Sequence, residues 1–395
     1  MGNQKYLKRD YEGAIVQYTL ALRLQPQWEG AYAMRAFSES ELGQLDDALD
    51  DFNHALTLAP TDWKALTGRA EIQRRKGIYD QAIADNIRAI QLNPTNPSAY
   101  YSMGRVCRDQ KKWTDAEGYF RHVIMLDPKD YAAHQEIGYC REDQLDWQGA
   151  IDQLSQALAL DPTNVACLDA RGYDEYKLGN FDDAMADFTR SLSLNPTNST
   201  PYYYRGLMKR RTHDYVGAIG DYDQSLRLNP KDPFVYAARA FAKTKSGAWA
   251  EAITDMNFAI ELRSTNAAFY NDRAWYKLES FVLKPQPRGL DTALSDAEKA
   301  VQLSPMDGNA YGTRGWILNE QGDTNSALID CRQAIQLNSS NTVSVAIDTG
   351  MISFISGDNA GATNEWQKVI AENADHKIEL QPWIDRATAN LQSPK

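Results

Sequence analysis

An all-α solenoid of about eleven helix–turn–helix units is the fold class this chain predicts, and three observations predict it. Alanine recurs at 48, 82, 116, 150, 184, 218 and 252, a step of 34 residues held without a slip. Each step codes two stretches with helical apolar spacing, separated by a turn signal. Each stretch has one narrow apolar face, so a single unit cannot bury a core of its own. Periods of this size mark architectures in which every unit is completed by the next. Function is therefore sought on a surface.

Residues 29–62 show the unit most clearly, with Glu29 as position 1. Tyr32, Ala36 and Glu39 stand at helical spacing, and the stretch ends near Gly43, a residue that tolerates the left-handed conformation in which helices stop. A second helix carries Ala48, Phe52 and Ala55 at i, i+4 and i+7 on one face and stops before Pro60. The small residues let backbones approach, and Phe52 fills the space between units. Read this way, residues 1–28 are a partial first repeat and repeats 2 to 11 span 29–376: regular units over 29–266, a lengthened one at 267–307, then 308–341 and 343–376. Met1 falls at position 7, inside the first helix of its unit, which reads as a longer protein cut short; a reduced cap is the alternative. The extra residues of the lengthened unit lie near 281–290, where Pro285 and Pro287 forbid a regular helix. They form either a tolerated insertion or a loop that touches a partner. Residues 377–395 are left as a capping segment. A closing helix is expected from Gln381 to Leu391, with Pro382 at a tolerated early position and Trp383, Ile384 and Leu391 covering the last repeat's apolar face.

These residues resemble the tetratricopeptide repeat family, whose 34-residue helix–turn–helix signature has small residues at positions 8, 20 and 27 and proline at 32. Position 8 reads Gly2, Ala36, Ala70, Gly104, Gly138, Gly172, Gly206, Ala240, Ala274, Gly315 and Gly350, and position 20 is alanine from Ala14 to Ala362. Proline holds position 32 from Pro26 to Pro230 and at Pro305; Ser264, Ser339 and Ala374 replace it elsewhere. The resemblance implies a right-handed superhelix that acts as a non-catalytic scaffold for protein–protein interaction. It also implies a concave groove lined by positions 2, 5, 9, 12 and 13 of the first helices.

Chemistry-bearing motifs are missing from the sequence. His54, His122, His134, His213 and His376 are scattered without metal-ligand spacing, and no phosphate-cradling glycine motif or GxSxG occurs. No enzyme activity, cofactor or metal is expected. Cys107, Cys140, Cys167 and Cys331 have no CxxC spacing and read as small buried apolar residues. Acidic pairs such as Asp46-Asp47 and Asp182-Asp183 favour a helix N-terminus and carry no catalytic implication. No apolar run is long enough to cross a membrane and no secretory signal is present, which reads as cytoplasmic, or as periplasmic or secreted if a signal preceded Met1.

Arginine at position 7 and aspartate at position 23 occur together or not at all. The pairs are Arg35/Asp51, Arg69/Asp85, Arg171/Asp187, Arg205/Asp221, Arg239/Asp255, Arg273/Asp296 and Arg314/Asp330; Met103/Tyr119, Ile137/Gln153 and Thr349/Glu365 replace both members. Joint loss within a unit predicts an ion pair within each hairpin, a scaffold feature. On the groove positions aromatics are dense, with Tyr173, Tyr176, Tyr203, Phe241, Trp275 and Trp316 among them, and Arg210 adjoins them. Such residues suit a peptide or a partner's helix, and repeats 6 to 8 are the expected centre. Arg74, Arg75, Arg105 and Arg108 form a rival basic site that would attract acidic segments. A net charge of −11 speaks against nucleic acid. A second reading is a recruiting or regulatory segment of a larger enzyme or secretion assembly whose active domain lies upstream of Met1.

Overall fold

Each 34-residue step folds as a helical hairpin. In the computed structural model, which describes residues 1–284 and 289–392, the template unit forms helices Glu29–Glu41 and Leu45–Leu58. The turn between them depends on position 15 being left-handed: Gly43 has φ 76°, and Gly77, Gly179, Gly247, Gly322 and Gly357 repeat it. Arg9, Lys111, Leu145 and His213 adopt the same conformation with a side chain, at φ 58° to 62°. Position 34 starts the next hairpin. Asp62, Asn96, Asp130 and Asn164 each accept hydrogen bonds from backbone N–H groups of the helix that follows, a cap worth about 0.5–2 kcal/mol.

The chain divides into two compact units, Met1–Leu194 and Asn195–Lys395. In the first, the pair Gly2–Leu7 and Tyr11–Leu24 leads five full hairpins, the last being Val165–Leu178 with Phe181–Leu194. In the second, five hairpins begin at Ser199 and end at Glu372. Small residues at position 8 receive the position-24 ring of the same unit. A Cβ added to Gly104 would lie 2.6 Å from Phe120, and one added to Gly206 would lie 2.5 Å from Tyr222, so glycine is the residue that fits. Phe52, Phe120, Phe188 and Tyr222 are all fully buried. The four cysteines are buried and free, and burial pushes the Cys140 and Cys167 thiols up to about 12. Among the described residues no helix is long and apolar enough to cross a membrane.

The lengthened unit has a first helix extended to Ala267–Leu283 and a second at Gly289–Leu303. Pro285 to Arg288, and with them the expected loop contact, lie outside the described residues. The chain's last helix differs from the sequence expectation. A 3-10 turn, Ala374–His376, leads straight into Lys377–Gln392, so Pro382 sits inside the helix and not at its start. Leu391 is 54% exposed, whereas Trp383, Ile384, Leu380 and Ala387 are buried. The buried face packs on the first helices of several units, and Leu391, a full two turns beyond Trp383, has run past that surface.

Candidate functional site

In each position-7 arginine the guanidinium forks onto the aspartate of its own hairpin. Arg171 Nε and Nη2 lie 2.8 and 2.7 Å from Asp187, and Arg205 lies 2.9 and 2.6 Å from Asp221. Arg35, Arg69, Arg239, Arg273 and Arg314 meet Asp51, Asp85, Asp255, Asp296 and Asp330 in the same two-pronged way. The remaining prong reaches back to the preceding hairpin: Arg69 Nη1 donates to Asn53, Arg171 to Ser155, Arg239 to Asp223 and Arg273 to Asn257. One arginine thus ties three helices.

The basic residues of repeats 3 and 4 are neutralised by their neighbours. Arg74 forks onto Glu71 at 2.9 Å and also meets Asp109; Arg105 reaches Glu71 at 3.1 Å; Arg108 meets Glu136. Arg75 donates to the Ser40 carbonyl and hydroxyl. Glu136, 7% exposed, also accepts from Tyr101 at 3.1 Å. Sequence reasoning counted these arginines as a patch because most of their carboxylate partners, Asp109 for Arg74, Glu71 for Arg105 and Glu136 for Arg108, stand in a neighbouring repeat.

The aromatics divide between the two units. In the N-terminal unit Tyr173 meets the edge of Trp147 and carries the Lys177 ammonium at 5.0 Å, while Tyr176 packs on Phe181. In the C-terminal unit Tyr203 contacts Tyr204 and Tyr222, and Arg210 and Lys245 both lie over Phe241, at 4.9 and 5.0 Å. Phe241, Trp275 and Trp316 line one open pocket of about 570 Å³ between the first helices and the closing segment. Trp316, expected as groove surface, is 1% exposed. It is wedged between Trp275 at 5.3 Å and Trp383 of the closing helix at 4.7 Å, so it forms the pocket's floor.

The closing segment forms the pocket's other wall. Asp375 accepts from His213 and Tyr215 at 2.8 and 2.6 Å, and Lys245 donates to Glu379 at 2.6 Å and to the Asp375 carbonyl at 2.9 Å. Further along, Trp383 donates to Glu279 and Arg386 to Glu320. Burial works against charge on Glu379, but His376 and Lys245 hold its carboxyl below the usual range. Glu279, fully buried with one oxygen unsatisfied, is pushed well above it by burial.

Four pocket carboxylates escaped the sequence reading: Asp375 and Glu379 of the closing segment, and Asp272 and Asp348. Asp272 and Asp348 both occupy position 6, which changes residue type from unit to unit (Met34, Gly68, Ser102, Glu136, Ala170, Tyr204, Ala238, Thr313), so no break in a pattern marked them. Asp348 is 5% exposed and accepts from the Trp316 indole at 3.3 Å; Gly312 leaves room for it, since a Cβ there would come within 3.0 Å of its oxygen. Burial raises Asp272 to about 6 and Asp348 to about 7.

Comparison with known proteins follows the repeat. Models described as tetratricopeptide repeat match residues 30–62 and 308–341, 101–165 and 165–198, and one described as TPR repeat matches 70–111. No curated protein matches the chain. Solved structures that resemble it include a tetratricopeptide repeat protein from Parabacteroides merdae, 23% identical over 63% of this chain and 95% of that one, with a TM-score of 0.47. Others are yeast Tom70, at 16% identity, 99% and 95% coverage and a TM-score of 0.40, and the APC/C hetero-tetramer Cut9-Hcn1, at 12%, 100% and 90%, with 0.49.

Proposed function

The chain is a tetratricopeptide-repeat protein, a scaffold for protein interaction, and we propose that it holds a peptide or helical segment of a partner against the inner side of its first helices. One observation carries this reading. The chain's own helix Lys377–Gln392 already lies on that side of the C-terminal unit, with Trp383 against Trp316 and Glu279, and Arg386 on Glu320. A surface that accepts one amphipathic helix through aromatic and charged anchors suits another of similar kind.

The contacts offered to the partner are half-buried rings: Tyr173 and Tyr176 in the N-terminal unit, Tyr203, Phe241 and Trp275 in the C-terminal one, with Arg210 beside Phe241. Binding energy concentrates in such Tyr, Trp and Arg side chains. The arginines of repeats 3 and 4 support the reading less, because Arg74, Arg105 and Arg108 already satisfy Glu71, Asp109 and Glu136. The test places a photo-crosslinking phenylalanine analogue at Phe241 and, separately, at Phe258, a 46% exposed residue of a second helix. Partner adducts from the Phe241 site, and at least a tenfold weaker interaction in Trp275→Ala with melting unchanged, are the expected result. Adducts formed equally at Phe258, or binding indifferent to Trp275, would overturn it.

A further inference from the structure

The pocket of the C-terminal unit holds two carboxylates, Asp272 and Asp348, that pair with no basic side chain among the described residues. Asp348 faces it with one carboxylate oxygen held by the Trp316 N–H, and no donor meets the other. Asp272 receives only a long contact, 3.5 Å, from the Asn271 amide, whose own carbonyl oxygen is buried without a partner. The basic side chains nearby are already engaged, as is the Trp316 indole. Lys245 gives its protons to Glu379 and the Asp375 carbonyl, His376 Nδ1 lies 3.3 Å from Glu379, and the Trp316 N–H is on Asp348. A carboxylate that is 95% out of solvent with no cation beside it is costly, and a ligand that brings a charge and several N–H groups removes that cost. Trp275, half-buried in the same wall, adds an aromatic face of the kind that attracts cations. The described residues hold no group of three or more His, Cys, Asp or Glu side chains able to bind a metal ion.

We propose that this pocket receives the guanidinium or ammonium of an arginine or lysine side chain from a partner's peptide, with Asp348 and Asp272 as its acceptors and Trp275 as its aromatic wall. The proposal rests on the reading that the inner face binds peptide, and it adds the specificity: a basic residue at one fixed position. It reverses the expectation that the partner's recognition segment is acidic.

The titratable groups around the two carboxylates are Asp307 and Tyr276 near Asp272, Cys331 near Asp348, Lys245 from repeat 8, and Asp375, His376 and Glu379 from the closing segment. Three of these are carboxylates, and the two basic ones are paired with Glu379. The ionised forms of Asp272 and Asp348 attract the ligand, so its affinity rises as pH increases from 5.5 to 7.5.

The experiment presents the full-length chain with a positional-scanning hexapeptide library and determines which residue is enriched at each position. Arginine or lysine enriched at one position, and lost with at least a tenfold drop in affinity in Asp348→Asn and Asp272→Asn, is the expected result. Asp272, being partly exposed, serves as the variant that keeps the fold should Asp348→Asn lower the melting temperature. Peptides selected without a basic position, or a basic preference that both substitutions leave intact, overturn this inference alone. Selection of no peptide at all overturns the reading of the inner face as well.

Discussion

Asp174 stands at position 10 of its unit, where the other repeats place Ile72, Val106, Cys140, Met208, Ala242 and Ile317, all core residues. It is 0% exposed, and neither carboxylate oxygen has a hydrogen-bond partner. Burial first, then the charges of Glu142 and Glu175, push its carboxyl up to about 8. A raised carboxyl binds its proton in the folded chain at pH values where the unfolded chain has released it. Between the ordinary carboxylate range near 4 and about 8, stability therefore falls as pH rises, and it levels off above. Asp174→Asn keeps the shape and removes the titration. At pH 8 it should be more stable than the parent by a few kcal/mol, since each pH unit by which the buried carboxyl is raised costs about 1.4 kcal/mol once it must ionise, with the gain shrinking toward pH 4. Urea midpoints at pH 4.5, 6 and 8 decide this: a difference that does not change with pH would show that the carboxylate is ionised and satisfied.

At the level of the hairpin, the arginine of position 7 ties elements together, because its fork joins two helices of its own unit and its third nitrogen reaches the helix before. Pairing within a unit was legible in the sequence, since Arg and Asp vanish together. The reach to the preceding helix was not, because its acceptors Asn53, Ser155, Asp223 and Asn257 share polarity but not one common residue type. The energetics differ between units. Asp187 is held by Arg171 alone, whereas Asp221 is also held by Lys209 at 2.8 Å. Removing one partner of a largely buried pair leaves an uncompensated charge at roughly 3–5 kcal/mol, while an exposed pair is worth about 0–1. Arg171→Met should thus destabilise more than Arg205→Met, where the lysine remains, and adding Asp187→Leu to Arg171→Met should recover part of the loss. A double-mutant cycle at Arg171 and Asp187 with no coupling would show that the fork contributes nothing beyond its packing.

Across the whole molecule, what the sequence makes readable is whatever repeats. The 34-residue step, the left-handed turn residue and the small-for-large exchange between positions 8 and 24 are each written many times, so the hairpins follow from local pattern. The closing helix is written once, and its partners are distant: Trp383 donates to Glu279, 104 residues earlier, and packs on Trp316. No local rule says which earlier helices the end of a curved stack meets, which is why Pro382 and Leu391 were misplaced and Trp316 was taken for groove surface. The pocket acids Asp272 and Asp348 were not readable, because their position in the repeat changes residue type from unit to unit. Coupling in such a chain passes from neighbour to neighbour, and the closing helix is an exception, since it joins repeats 9 to 11 in one cluster through Leu278, Trp316, Trp366 and Trp383. Truncating Trp383, which is fully buried, should cost about 3–5 kcal/mol. Because that loss falls on several units at once, Trp383→Ala should reduce hydrogen-exchange protection throughout residues 267–392 while leaving 29–130 unchanged. Loss of protection confined to 377–392 would mean that the helix is a passive cover, and that repeats 9 to 11 hold together without it.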